Sequence, residues 1–116
     1  AAALYDHMAI DGLEDAYERG KAMGVFAEAC VARYGFTREA MDAFAVASTQ
    51  RAIAANSDGS FDWEIAPVTL PGKAGETLVT KDEQPFKARL DKIPSLKPAF
   101  QKDGSITAAS SSSISD

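Results

Sequence analysis

Three observations predict an α+β chain of two helices followed by a β-hairpin and a long ordered loop. Apolar residues recur at helical spacing from about Gly24 to Arg33 and again from Arg38 to Ala55. Two turn signals, Asn56-Ser57-Asp58-Gly59 and Pro71-Gly72-Lys73-Ala74-Gly75, then bracket a stretch with the period of a strand. Beyond Lys81, Pro85, Pro94 and Pro98 interrupt any long regular element.

Between Gly12 and Gly35 the residues are mostly helix formers, but Gly20 and Gly24 intervene. Each costs about 1 kcal/mol relative to Ala in a helix interior, so a short helical turn is expected first and a firmer helix after Gly24. Gly35 stands where a helix C-terminus favours glycine. Thr37 then stands at an N-cap position ahead of REAMDAFAVASTQRAIAA, whose Met41, Phe44, Ser48 and Ala52 share one face with Ala45 beside them. Phe61-Asp62-Trp63-Glu64-Ile65 alternates as a half-buried strand would, and Ala66-Pro67 shifts the apolar set to Val68 and Leu70, which predicts a bulge or an edge. Thr77 to Thr80 is the expected partner strand. The stretch from Gln84 to Ser105 reads as mostly irregular.

The final AASSSSISD leaves two readings open, a flexible tail or a small-residue loop that faces a ligand. The 116 residues are enough for one domain or for a piece of a larger one. A content of 46% hydrophobic and 25% charged residues is that of a globular protein, and no apolar run approaches the roughly 20 residues that cross a bilayer. Residues 1 to 12 lack a basic start and an apolar stretch, so they read as a chain entered midway rather than a signal peptide. A net charge of -5 with scattered Lys and Arg argues against nucleic acid as a partner. The single Cys30 cannot form an internal disulfide, and with one His it builds no ordinary zinc site. A reducing, cytoplasmic setting is expected.

Four landmarks in register resemble the middle segment of thiolases, enzymes that make or break 3-oxoacyl-CoA thioesters. Met23-Gly24-Val25-Phe26-Ala27-Glu28 resembles the family's Met-Gly-x-Thr-Ala-Glu, and Thr37-Arg38-Glu39 with Asp42-x-Phe44-Ala45 resembles its Ser-Arg-x-x-x-Asp-x-Phe-Ala. Phe61-Asp62-x-Glu64-Ile65-x-Pro67-Val68 resembles its Phe-x-x-Glu-Ile-x-Pro-Val. Leu96-Lys97-Pro98-Ala99-Phe100 with Asp103-Gly104-x-Ile106-Thr107-Ala108 resembles Leu-x-Pro-x-Phe-x-x-x-Gly-Thr-Val-Thr-Ala. The final serines align residue for residue with the family's Gly-Asn-x-Ser-Gly-x-Asn-Asp loop, which favours a ligand-facing loop over a tail. The resemblance covers nearly the whole chain and implies an α+β insertion from an α/β thiolase-fold parent. On this reading residues 1–116 are a single partial domain, and 106–116 are a small-residue loop facing coenzyme A, frayed in the isolated chain.

The resemblance implies that Leu13, Met23, Lys87, Leu96, Phe100, Ala108, Ser111 and Ser112 meet the acyl group, the pantetheine arm or the phosphates of an acyl-CoA. For Met23 and Phe100 a role as core filler stays open beside the pocket-wall role, and for Lys73 and Lys87 that of solvated surface charge. The turn before Met23 is one residue longer than in many relatives, Ala22 stands where many have His, and the hairpin turn is less basic than theirs. Cys30 reads as a buried core cysteine rather than a nucleophile, and His7 lacks the Gly-His-Pro context of the family base. No catalytic residue is assigned and no cofactor is expected beyond the coenzyme A thioester as substrate. The implied parent is an acyltransferase, a homodimer or homotetramer, that condenses or thiolyses 3-oxoacyl-CoA, and the segment alone is expected to be inert. The alternatives are a non-catalytic lipid-carrier or acyl-CoA binding module on the same frame, and a plain protein-interaction domain.

Overall fold

Residues 2–114 are described in the computed structural model of the chain. Ser115 and Asp116, the last two residues of the serine loop, lie outside the described residues. Contacts divide the chain into two compact units, the first made by residues up to Ala43 and from Lys92 onward, the second by Phe44–Asp91.

In the first unit a single π-helical turn, Ala9–Leu13, precedes a closed loop. An antiparallel bridge between Glu14 and Ala22 ties the ends of that loop together. The expected helical turn therefore falls earlier than Gly12 to Gly24 suggested. Acidic side chains take the amides that a helix would have used: Glu14 Oε2 accepts from Gly20 N at 2.8 Å, and Asp15 Oδ2 accepts from Tyr17 N at 3.0 Å and Glu18 N at 2.6 Å.

Helix α1, Met23–Tyr34, ends at Gly35, whose φ of 68° is left-handed and whose N–H bonds the Val31 carbonyl at 2.9 Å. Helix α2, Arg38–Ser57, begins after Thr37, whose Oγ1 accepts from Ala40 N at 3.1 Å. The unit boundary falls within α2. Its sheltered stripe runs through Arg38, Asp42, Ala45, Thr49, Ala52 and Asn56, at alternating spacings of three and four. Phe44 lies off that stripe and is 72% exposed, which corrects the face expected for it. Cys30 is also exposed rather than buried, because α1 turns the opposite face, bearing Glu28, inward.

In the second unit, strands β1 (Val68–Gly72) and β2 (Gly75–Val79) form an antiparallel hairpin with Val68 opposite Val79 and Gly72 opposite Gly75. Lys73 and Ala74 make the two-residue turn. Pro71 is tolerated because a two-stranded hairpin has only edge strands. The Phe61–Ile65 strand is not formed: the segment is a series of turns, with Asp62 N on the Gly59 carbonyl at 3.1 Å and Glu64 N on the Phe61 carbonyl at 3.1 Å. Here local turn bonding from Gly59 outweighs the alternating pattern. The expected long loop carries two short pieces, α3 (Gln84–Lys87) and a 3-10 turn, Leu90–Ser95, that includes Pro94. Among the described residues, no helix is long and apolar enough to cross a membrane.

Arg38 fastens the later part of the first unit to the start of α2. Its Nε donates to both Asp42 carboxylate oxygens at 2.9 Å, and its Nη2 donates to the Ile93 and Leu96 carbonyls, each at 3.0 Å. Arg38→Ala leaves a buried carboxylate and two carbonyls short of partners, so a loss of about 1.5–3 kcal/mol is expected. Urea unfolding of the intact protein checks this, with a lower midpoint and an unchanged slope.

Candidate functional site

The first turn of α1 approaches Phe100 without an intervening side chain. A Cβ on Gly24 would fall 2.2 Å from ring atoms of Phe100, so only glycine admits the ring at this distance. Met23, the residue before it, is 45% exposed, and Phe100 is 37% exposed. Both therefore keep a solvent-facing side on which a ligand can lie. Ala99 N bonds the Ile106 carbonyl at 2.8 Å and so closes the loop that carries Phe100.

One turn further along the same face of α1 stands Glu28, only 6% exposed. Its carboxylate accepts from Ser105 N at 2.9 and 3.1 Å, from Ile106 N at 2.8 Å and from Ser105 Oγ at 3.4 Å. Directly after these residues comes Thr107, fully buried, at the head of the serine loop. Thr107 Oγ1 accepts from Ala109 N at 3.2 Å, while Ser110 Oγ accepts from Thr107 N at 3.0 Å, a reciprocal cap on the turn Ala108–Ser110. The Thr107 carbonyl also takes the Ser111 hydroxyl at 2.7 Å. The loop expected to fray is thus hydrogen-bonded from Thr107 to Ser111, and beyond it Ser112 is exposed.

Of the residues expected at the site, Phe100 packs on Gly24, which follows Met23, Ser111 bonds the Thr107 carbonyl next to Ala108, and Leu96 gives its carbonyl to Arg38. Leu13 closes the π-turn, 37% exposed, and is not part of this bonded set. Lys87 belongs to the other unit, where it pairs with Glu83 across one helical turn. The Lys87 hydrogen bond, then its charge, hold Glu83 below the ordinary carboxylate range. Among the described residues, no group of three or more His, Cys, Asp or Glu is placed to hold a metal ion. Gly24, Glu28 and Arg38 were visible in the sequence only as landmarks. A lone acidic residue one turn after a glycine in α1 was the available signal.

The whole chain, residues 1–116, matches the family model described as the thiolase N-terminal domain. The chain belongs to the thiolase family. It is 46% identical over 112 residues to a probable acetyl-CoA acetyltransferase of Dictyostelium discoideum, covering 96% of this chain and 27% of the relative. It is also 46% identical over 116 residues to the acetyl-CoA acetyltransferase of Saccharomyces cerevisiae, covering 97% of this chain and 29% of the relative. Among solved thiolases, the acetyl-CoA acetyltransferase of Syntrophomonas wolfei superposes with a TM-score of 0.80 at 41% identity, over 93% of this chain and 27% of that one. A thiolase of Ascaris suum in complex with coenzyme A superposes at 0.77 and 39% identity, over 92% of this chain and 27% of that one. The chain therefore spans less than a third of the length of the relatives it matches.

Two outcomes follow from the geometry. Gly24→Ala forces the Phe100 ring or the helix to shift, a loss of about 1–3 kcal/mol expected for overpacking; thermal melting of the intact protein reads it as a lower Tm. Lys87→Ala releases Glu83, whose titration, followed by NMR, moves up in pH. The sign follows from the depressed carboxyl: the pairing favours the folded turn above the ordinary carboxylate range, and that contribution fades as pH falls through the lowered value.

Proposed function

We propose that this chain is the coenzyme A-binding segment of an acyl-CoA thiolase. Met23 and Phe100 form an apolar wall for the acyl end and pantetheine arm, and the serine loop lies along the arm. The observation that carries this reading is the thiolase match over the full chain together with the Gly24–Phe100 contact, which puts the Phe100 ring against the residue that follows Met23. An unbranched thioether and a ring edge suit a narrow, flexible ligand of varied length. Small hydroxylated residues let backbone approach it closely while offering adaptable hydrogen bonds.

The whole protein is proposed to transfer an acyl group between coenzyme A thioesters. A thiolate attacks the acyl carbonyl and expels coenzyme A as its thiolate, which takes up a proton; a base then removes a proton from the second acyl-CoA, and the carbanion so made attacks the enzyme-bound acyl carbonyl and expels the enzyme thiolate. Those two groups are assigned to parts of the protein outside this segment. Taken by themselves, Lys73 and Lys87 are proposed to attract nucleotide phosphates by charge. Glu83 offsets part of the Lys87 charge.

Assay of the intact protein with acetoacetyl-CoA and coenzyme A tests the reading, with acetyl-CoA as the expected product. Coenzyme A affinity without turnover would favour the non-catalytic binding module, and absence of both would overturn the reading. Within an active protein, Ser112→Ala removes one neutral hydrogen bond, about 0.5–1.5 kcal/mol, so KM for the acyl-CoA should rise about three- to tenfold. Turnover at saturation should hold, because the contact is remote from the reacting carbon. Ser110→Ala instead removes a cap and should lower stability by about 1 kcal/mol with little change in KM.

A further inference from the structure

We infer that Glu28 is a positioning residue for acyl-CoA binding, setting the backbone path from Gly104 to Thr107 and thereby the places of Ser111 and Ser112. The inference rests on the reading that the serine loop meets the pantetheine arm.

Three features support it. First, the carboxylate is buried, and its partners are the Ser105 and Ile106 N–H groups and the Ser105 hydroxyl rather than a Lys or Arg. A buried charge is tolerated only where donors converge on it, and here they come from two consecutive residues. Successive N–H groups of an extended strand point to opposite sides, so two aimed at one carboxylate require the chain to bend. Glu28 therefore dictates a direction of the backbone as well as a contact.

Second, Gly104 leaves room for this arrangement. A Cβ there would stand 2.2 Å from Glu28 Oε1, and Gly104 is not among the glycines with positive φ. The backbone would accept alanine, so the glycine answers to the carboxylate.

Third, Glu28 lies one helical turn from Gly24, on the same face of α1. Gly24 sets the approach of Phe100, and Glu28 sets the loop that begins at Ser105. One rigid helix thus gauges both the apolar wall and the hydroxylated loop, fixing the spacing a ligand would meet between them.

The test uses the intact thiolase and two variants that disturb the same contact from opposite sides, Glu28→Gln and Gly104→Ala. Gln keeps the size but places an amide donor against backbone donors. The added methyl group displaces the carboxylate and preserves its charge. Each should raise KM for the acyl-CoA about tenfold while kcat stays within about twofold. The double variant should be no worse than the more impaired single one, because both remove one interaction. Hydrogen–deuterium exchange should quicken over residues 105–112 in both variants.

Wild-type KM in the folded variants, even with a lowered Tm, would overturn the inference and leave Glu28 a structural residue. So would fully additive effects in the double variant. If Glu28→Gln does not accumulate as folded protein, Gly104→Ala decides alone by the same KM and exchange readouts. Wild-type protein with no affinity for acyl-CoA would overturn the proposed function and this inference with it, whereas an active wild type with unaffected variants overturns the inference alone.

Discussion

A carboxylate closed away from water holds the first unit in register. Glu28 brings a negative charge into a site where solvation is lost, and three nearby donors on Ser105 and Ile106 replace it. With those amides fixed, the Ile106 carbonyl is placed to receive Ala99 N, and Phe100 follows directly. Thr107 comes next, wholly buried, and organises the serine turn through its side chain, its N–H and its carbonyl. The order of causes runs from one helical side chain to the loop that bears Phe100 and to the serine turn.

The second tie is the guanidinium of Arg38, planar and able to serve Asp42 with one nitrogen and two backbone carbonyls with another. Both ties reach from a helix to backbone far along the chain, and both are polar. Buried apolar side chains in this unit are few, Ile93 and Ile106 among them. Large apolar residues such as Leu4, Tyr17 and Trp63 stand open to solvent.

What the sequence made legible was local. Gly35 and Thr37 mark the helix boundaries through bonds that span only a few residues, and they were readable for that reason. The hairpin turn was readable from Pro71 to Gly75, although β2 begins at Gly75 rather than Thr77. Phe61 to Ile65 misled because alternation speaks for a strand only when a partner is available, and turn bonds from Gly59 onward took its place. Cys30 misled because its burial depends on which face of α1 finds cover, and Glu28 claims the inner one. Neither Glu28 with Ser105 nor Arg38 with Ile93 leaves a local signature, since the bonded residues lie 77 and 55 positions apart. The family resemblance aligned these positions without saying what they bond.

Within the run from Ser110 to Ser113, chemically identical residues are separated in role by the partners already in place. Ser110 and Ser111 both direct their hydroxyls to the Thr107 carbonyl, at 3.3 and 2.7 Å. A hydroxyl has one proton to donate, so the shorter of these bonds leaves Ser111 mainly its lone pairs for any further partner. Ser111 is therefore suited to receive an N–H, and Ser112 beyond it is exposed. The bonds made to Thr107 thus separate Ser110 and Ser111, committed to the turn, from exposed Ser112.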